Sequence, residues 1–286
     1  MPDNMKGLIW ALLAAALFSV VAALAKVAVV DYHVLQILFF RQVAVFLSSL
    51  PATTKTFPRS LKTQRPGLHA LRLVGAFTAL SCSIWAVAVL PLTTAITLPF
   101  AQVFFVAILA SVFLKEPVGP RRIAAVIIGF CGVVVVMQPG LDGLIDIKAL
   151  IPLIGAAGAA VAITAVRRLS QTETTATLLI FQSVFVGAFA GVPLLWLWEP
   201  PDPFGWVLLI TMGALATLGQ WVGVRALRLG EASVVGNMEY SKLIYAALLG
   251  YAVFDETPDR FTLVGAAIII GSSAYIFGRE QRMKLA

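Results

Sequence analysis

The chain has 286 residues, of which 60% are apolar and 12% charged, with a formal net charge of +7. Soluble domains average about 45–50% apolar and about 25% charged residues, so a soluble globular protein of this length would lack the charge to cover its surface. The same composition excludes a disordered chain, a collagen-like repeat and a disulfide-stapled secreted domain.

A membrane-spanning helix needs roughly 20 mostly apolar residues. The apolar runs are, in chain order, 7–30, 34–50, 68–90, 94–114, 121–138, 149–167, 176–198, 204–226, 232–254 and 261–278. The first is too long for the about 7–15-residue core of a signal peptide and ends in Lys26 rather than a cleavage site. It is read as the first spanning helix. Ten such helices leave only short loops, so any chemistry must occur inside the bundle or at its rims.

The breaks carry turn chemistry. Pro51, Pro58 and Pro66 bracket the loop after the second helix, Pro117 and Pro120 the loop after the fourth, and Pro139-Gly140 ends the fifth. Glu199-Pro200-Pro201-Asp202-Pro203 separates the seventh and eighth. Proline fixes φ and has no N–H to donate, so such clusters stop helices.

Lysine and arginine positions set the orientation. With the N-terminus in the cytoplasm, sixteen fall on inner segments: Lys6, Lys55, Arg59, Lys62, Arg65, Arg72, Lys115, Arg121, Arg122, Arg167, Arg168, Arg225, Arg228, Arg279, Arg282 and Lys284. Three, Lys26, Lys148 and Arg260, fall on outer ones, and Arg41 and Lys242 lie within helices. This bias places both termini in the cytoplasm. It also accounts for the positive charge without nucleic acid.

The two halves resemble each other at an offset of about 140 residues. Residues 86–118 and 226–258 share a short break, a helix, an acidic residue, a proline and a further helix, with Ala107 against Ala247, Leu109 against Leu249 and Glu116 against Glu256. Lys26 ends the first helix and Arg167-Arg168 the sixth. Five helices per repeat is an odd number, so the second repeat enters the membrane inverted, an arrangement that secondary transporters use for alternating access. The expected fold is an all-α membrane protein with ten transmembrane helices as two inverted five-helix repeats, residues 1–140 and 141–286.

At this point the chain resembles the ten-helix EamA-type carriers of the drug/metabolite transporter superfamily. The matching segments are Leu90-Pro91-Leu92-Thr93-Thr94-Ala95, Leu114-Lys115-Glu116-Pro117-Val118 and Gly129-Phe130-Cys131-Gly132-Val133-Val134. In the second half they are Ala226-Leu227-Arg228-Leu229-Gly230-Glu231-Ala232-Ser233, Glu239-Tyr240 and Asp255-Glu256. The pattern Phe39-Phe40-Arg41 and the closing Ala274-Tyr275-Ile276-Phe277-Gly278-Arg279-Glu280 are similar to the branch that carries riboflavin and S-adenosylmethionine inward. That resemblance implies a carrier in the cytoplasmic (inner) membrane with a substrate cavity on its central helices.

Arg41 lies about seven residues into the second helix. A charge at that depth costs from about 2.5 kcal/mol upward and normally faces the bundle interior. It is either a substrate or packing anchor in a central cavity, or a side chain that snorkels or satisfies a helix carbonyl. Glu239 and Lys242, three apart, share a helix face and can neutralise each other. They form either a coupling site or an internal ion pair. Gln42, Gln102, Gln182, Gln220 and Asn237 are amides within apolar helices, and each can bind helices together or meet a ligand. Trp85, Phe104, Phe105, Trp221, Tyr240 and Tyr245 are aromatic candidates for the same cavity, where ring faces beside amides would suit a flat ligand. Trp196, Trp198 and Trp206 are better read as interface anchors. Pro99 interrupts the fourth helix and is a candidate hinge, while Gly187-xxx-Gly191 and Gly219-xxx-Gly223 are spaced for helix packing. Glu116 and Glu256 read as turn residues that pair with nearby cations.

The expected substrate cavity thus comprises Arg41, Gln42, Trp85, Gln102, Phe105, Gln220, Asn237, Glu239, Tyr240 and Lys242. No HExxH, CxxC or paired-histidine spacing occurs in the sequence, and Cys82 and Cys131 sit apart in apolar runs. Neither a metal nor another cofactor is expected. The phosphate-loop pattern GxxxxGK[ST] is missing too, and no constellation for a membrane-embedded enzyme is visible. The expected activity is riboflavin uptake by a secondary carrier, with export of amino acids or related metabolites as the alternative. The expected partners are a small-molecule substrate and the lipid bilayer, with a homodimer left open.

Overall fold

The computed structural model describes residues 4–54, 63, 65–114, 120–137, 147–169, 172–173, 175–229 and 238–285. Among them, all regular elements are helical. They are α1 (Asn4–Ala28), α2 (Val34–Thr54), α3 (Pro66–Val89), α4 (Leu92–Thr97), α5 (Gln102–Leu114), α6 (Pro120–Met137), α7 (Leu150–Leu169), α8 (Thr175–Gly191), α9 (Leu194–Leu197), α10 (Pro203–Leu229), α11 (Ser241–Phe254) and α12 (Arg260–Leu285). Short 3₁₀ turns lie at Leu98–Ala101 and Ile147–Ala149. Five stretches, Met5–Ala28, Pro66–Val89, Leu92–Leu109, Ile147–Val166 and Pro203–Ala226, are long and apolar enough to cross a membrane by length and composition. Val34–Leu50, Ile123–Met137, Thr177–Gly191, Ser241–Phe254 and Arg260–Tyr275 are shorter apolar helices. Large apolar side chains cover the outside, among them Ile127, Ile128, Phe189, Leu248 and Val264, a surface that only hydrocarbon would solvate well.

Local chemistry sets the helix ends. Pro66, Pro120 and Pro203 each open a helix, where their missing N–H has no partner to lose. Asp202 caps α10, its Oδ1 accepting the Gly205 amide at 2.7 Å. The Tyr32 hydroxyl donates to the same oxygen at 3.0 Å. A Cβ on Gly205 would lie 1.8 Å from that hydroxyl, so the close approach needs glycine. Asp255 ends α11 in the left-handed region at φ 54°, a conformation aspartate tolerates better than most residues.

Two apolar runs are divided rather than continuous. The run 94–114 becomes α4, a 3₁₀ turn containing Pro99, and α5. The run 176–198 stops as α8 at Gly191, and Pro193 leads into the short α9. In both places proline withholds the N–H that the i→i−4 ladder requires.

Helix packing follows a pattern that survives exchange of the two halves. α1 packs on α10 and α11, and correspondingly α7 packs on α3 and on the α4–α5 segment. α2 meets α8, α6 meets α12, and α4 meets α11. The α3–α7 crossing is closest where Gly75 faces Gly158. A Cβ on Gly75 would sit 2.6 Å from the Gly158 carbonyl oxygen, and a Cβ on Gly158 would sit 2.8 Å from that of Gly75. Small residues thus let two backbones touch without a hydrophobic driving force between them.

Candidate substrate cavity

A cavity of about 380 Å³ opens between the halves, within the range of about 300–1,000 Å³ usual for small-molecule sites. Its walls come from α1, α3, α4–α5, α7 and α11, with Arg41 reaching in from α2. Most of the lining is apolar, including Phe18, Ile84, Val87, Ile96 and Phe100. The polar side chains are Ser19, Arg41, Ser83, Gln102, Glu239 and Lys242.

Backbone irregularity places several of them. The 3₁₀ turn breaks the fourth apolar run in its first half, exposing Pro99, Phe100 and Gln102 to the cavity. At about 1.5 Å per residue, the 14-residue α11 is only about 21 Å long. Lys242 in its first turn, with Glu239 two residues before the helix, lies beside the middle of α1. The Ser19 hydroxyl marks that junction, near the Ala15 carbonyl at 2.9 Å and the Lys242 carbonyl at 3.3 Å.

Glu239 and Lys242 are joined directly to one another, and the Lys242 ammonium lies 5.1 Å from the Phe18 ring centre. The pair is thus an ion pair within one segment, and both of its members line the cavity. Arg41 differs. Among the described residues its guanidinium has no hydrogen-bonding or ionic partner, and it faces the cavity.

Of the residues singled out in the sequence, the structure brings Arg41, Pro99, Gln102, Glu239 and Lys242 to this one cavity. Tyr240 stands behind the wall, its ring 5.2 Å from that of Phe100. Phe105 turns toward α6 and packs edge-on against Phe130 at 5.3 Å. Gln42 is 2% exposed and borders a separate groove between α2 and α8, its Oε1 buried without a hydrogen bond. Trp85 is 51% exposed. It follows Ile84, a cavity residue, and one helical step of about 100° carries its ring outward. Gln220 is likewise exposed, one step beyond Gly219, which faces Leu17 and Phe18. Asn237 and Glu116 lie outside the described residues. Of the proposed interface anchors, Trp196, Trp198 and Trp206 are all exposed, and the last two rest on Phe40 at 6.0 and 5.4 Å.

Two polar clamps hold the halves together beyond the cavity, and the sequence did not announce either. Arg72 is only 4% exposed. It donates to the Leu178 carbonyl at 3.0 Å and to Gln182 Oε1 at 2.9 Å, so it is an interhelix tie rather than a loop charge. Beside it, Glu173 binds both His69 and Thr63. At the corresponding place in the other half, Gln36 exchanges two hydrogen bonds with the backbone of Glu199, at 2.7 and 3.0 Å. There the Gly205 amide and the Tyr32 hydroxyl hold the Asp202 carboxyl below the usual carboxylate range. Burial, reinforced by the bond to Asp202, pushes the Tyr32 phenol up.

The Vibrio cholerae protein described as "Riboflavin transporter" is 29% identical over 279 residues, covering 95% of this chain and 93% of that one. The "S-adenosylmethionine uptake transporter" of Rickettsia prowazekii is 26% identical over 280 residues, covering 97% and 94%. A solved crystal structure matches with a TM-score of 0.58 at 16% identity over 98% of each chain, a likeness of fold alone. The pattern of the EamA-like transporter family matches twice, at residues 5–138 and 147–278. With both halves matched, the chain belongs to the EamA-like transporter family.

Proposed function

We propose that the chain is a secondary carrier of the cytoplasmic membrane that moves a small organic metabolite by alternating access, with riboflavin uptake as its activity. In this reading ten helices span the bilayer as two inverted five-helix repeats, 1–140 and 141–286, with both termini in the cytoplasm. The observation that carries it is the cavity of about 380 Å³ at the breaks in the helices, walled by both halves. Helix packing that survives exchange of the halves supports the inverted repeat. The lysine and arginine distribution supports the orientation.

Arg41, Gln102, Glu239 and Lys242 are the proposed substrate contacts, and Pro99 is the proposed hinge. The mixture of rings, aliphatic walls and a few hydrogen-bonding groups suits a flat ligand such as the flavin. One observation favours the second reading, an amino acid or related metabolite. Among the described residues Arg41 meets no carboxylate, and such a substrate would bring its own.

Uptake of radiolabelled riboflavin into proteoliposomes, with an amino-acid panel beside it, tests the proposal. Saturable entry competed by unlabelled riboflavin is expected. Arg41→Ala and Gln102→Ala should lower transport while the protein still inserts. Normal transport by both variants would misplace the cavity. Countertransport of an amino acid without riboflavin entry would move the chain to the second reading.

A further inference from the structure

The charges around the cavity do not balance. Glu239 and Lys242 cancel within their own pair, which leaves Arg41 as the uncompensated charge among the described lining residues. A guanidinium withdrawn from water without a partner is destabilising unless something supplies one. Its planar fork presents five N–H donors and accepts nothing, so it selects flat, electron-rich pairs of acceptor atoms over single ones. Ser19 is already engaged with backbone carbonyls. Glu239 is turned to Lys242.

We infer that Arg41 is the recognition group of this cavity and takes a planar, negatively charged or electron-rich acceptor pair on the substrate. The inference rests on the cavity being the transport site. Two ligand sources offer that chemistry: a carboxylate, and the edge of a flavin ring that presents N1 and the C2 carbonyl. The carboxylate would also neutralise the charge. The flavin edge would satisfy the donors while leaving the charge to be spread over the ring system. Either way Arg41 acts as a filter, because a ligand lacking the pair would displace water from the guanidinium without replacing its hydrogen bonds.

The test is equilibrium binding to the purified full chain, using two matched pairs of probes. One pair is riboflavin and 1-deazariboflavin, in which N1 becomes C–H. The other is S-adenosylmethionine and its decarboxylated analogue. Each is measured on the wild type, Arg41→Lys and Arg41→Gln. In one pair the parent should bind the wild type about tenfold or more tightly than its analogue. That preference should shrink in Arg41→Lys, which keeps the charge without the fork, and vanish in Arg41→Gln. The pair that shows it identifies the acceptor. Equal binding of parent and analogue to the wild type would overturn the inference without need of any variant. So would a preference that persists in Arg41→Gln, or silence from all four probes. Counterflow in proteoliposomes separates this from the carrier reading. Exchange without an Arg41-dependent preference would keep the carrier and remove the recognition role, and the preference without exchange would do the reverse.

Discussion

Lys26, near the end of α1, is paired with Glu256 between α11 and α12, 230 residues away in the chain. Lys26 also donates to the Leu90 carbonyl at 3.0 Å, and the second carboxylate oxygen of Glu256 accepts the Leu92 amide at 2.8 Å. One ion pair thus fastens three segments beside the cavity rim, where Ala25, Val87 and Ala95 line the wall. Both side chains are mostly covered, at 15% and 28% exposure, so solvent screens the pair less than a surface bridge. A double-mutant cycle of Lys26→Ala and Glu256→Ala, read by thermal unfolding in detergent, should give a coupling of about 1–3 kcal/mol. Strictly additive losses would reduce the pair to two unrelated surface charges.

The α3–α7 crossing makes a sharper claim. Gly158→Ala should cost about 1–3 kcal/mol, because its Cβ would meet backbone rather than a movable side chain. Gly271→Ala in α12 has nothing within 4 Å and should stabilise by up to about 1 kcal/mol through helix propensity. Unfolding midpoints moving in opposite directions would bear this out. Equal shifts would place the two helices further apart than described.

The Tyr32–Asp202 contact predicts a pH response at both extremes. Asp202 titrates lower in the folded protein, so its contribution is present above the ordinary carboxylate range and is lost as pH falls through the depressed value. Tyr32 titrates higher, so the folded state favours the neutral phenol and stability declines as pH rises above about 10. Tyr32→Phe should flatten the alkaline limb of a stability–pH profile. An unchanged alkaline limb in that variant would assign the decline to other groups.

Pro99→Ala restores a backbone donor to a segment that now lacks one. The unfolding midpoint should hold or rise, while turnover in proteoliposomes falls as the break stiffens. A variant that transports as well as the wild type would leave Pro99 a packing residue.

Helices were the most legible feature, since each apolar run contains one, and Pro99 marked the break inside one of them, while the run 176–198 reads as continuous across the break at Pro193. Depth marked the candidates that the fold gathers. Charges and amides far inside apolar runs are costly, and Arg41, Gln102, Glu239 and Lys242 line one cavity. Residue type alone misplaced Trp85 and Gln220, because helical phase decides direction. The stripe Gly75, Ala79, Cys82 already marks the α7-facing side of α3. That stripe leaves Trp85 a place on the lipid-facing surface. The Arg72 and Glu173 cluster was hidden for a different reason. Its members lie over 100 residues apart, and near a helix start a basic residue reads as a loop charge until the partner segment is seen beside it.

The packing of α1 on α10 and of α7 on α3 means that each half keeps its first helix mostly on the other half. A cut between α6 and α7 would therefore yield two fragments, each missing the surface its leading helix needs. Such fragments should assemble when made together and fail when made apart. In the proposed alternating-access cycle the rocking bodies would then be mosaics, each stitched from segments distant in sequence, and a rigid link between the two sequence halves would not in itself stop the motion.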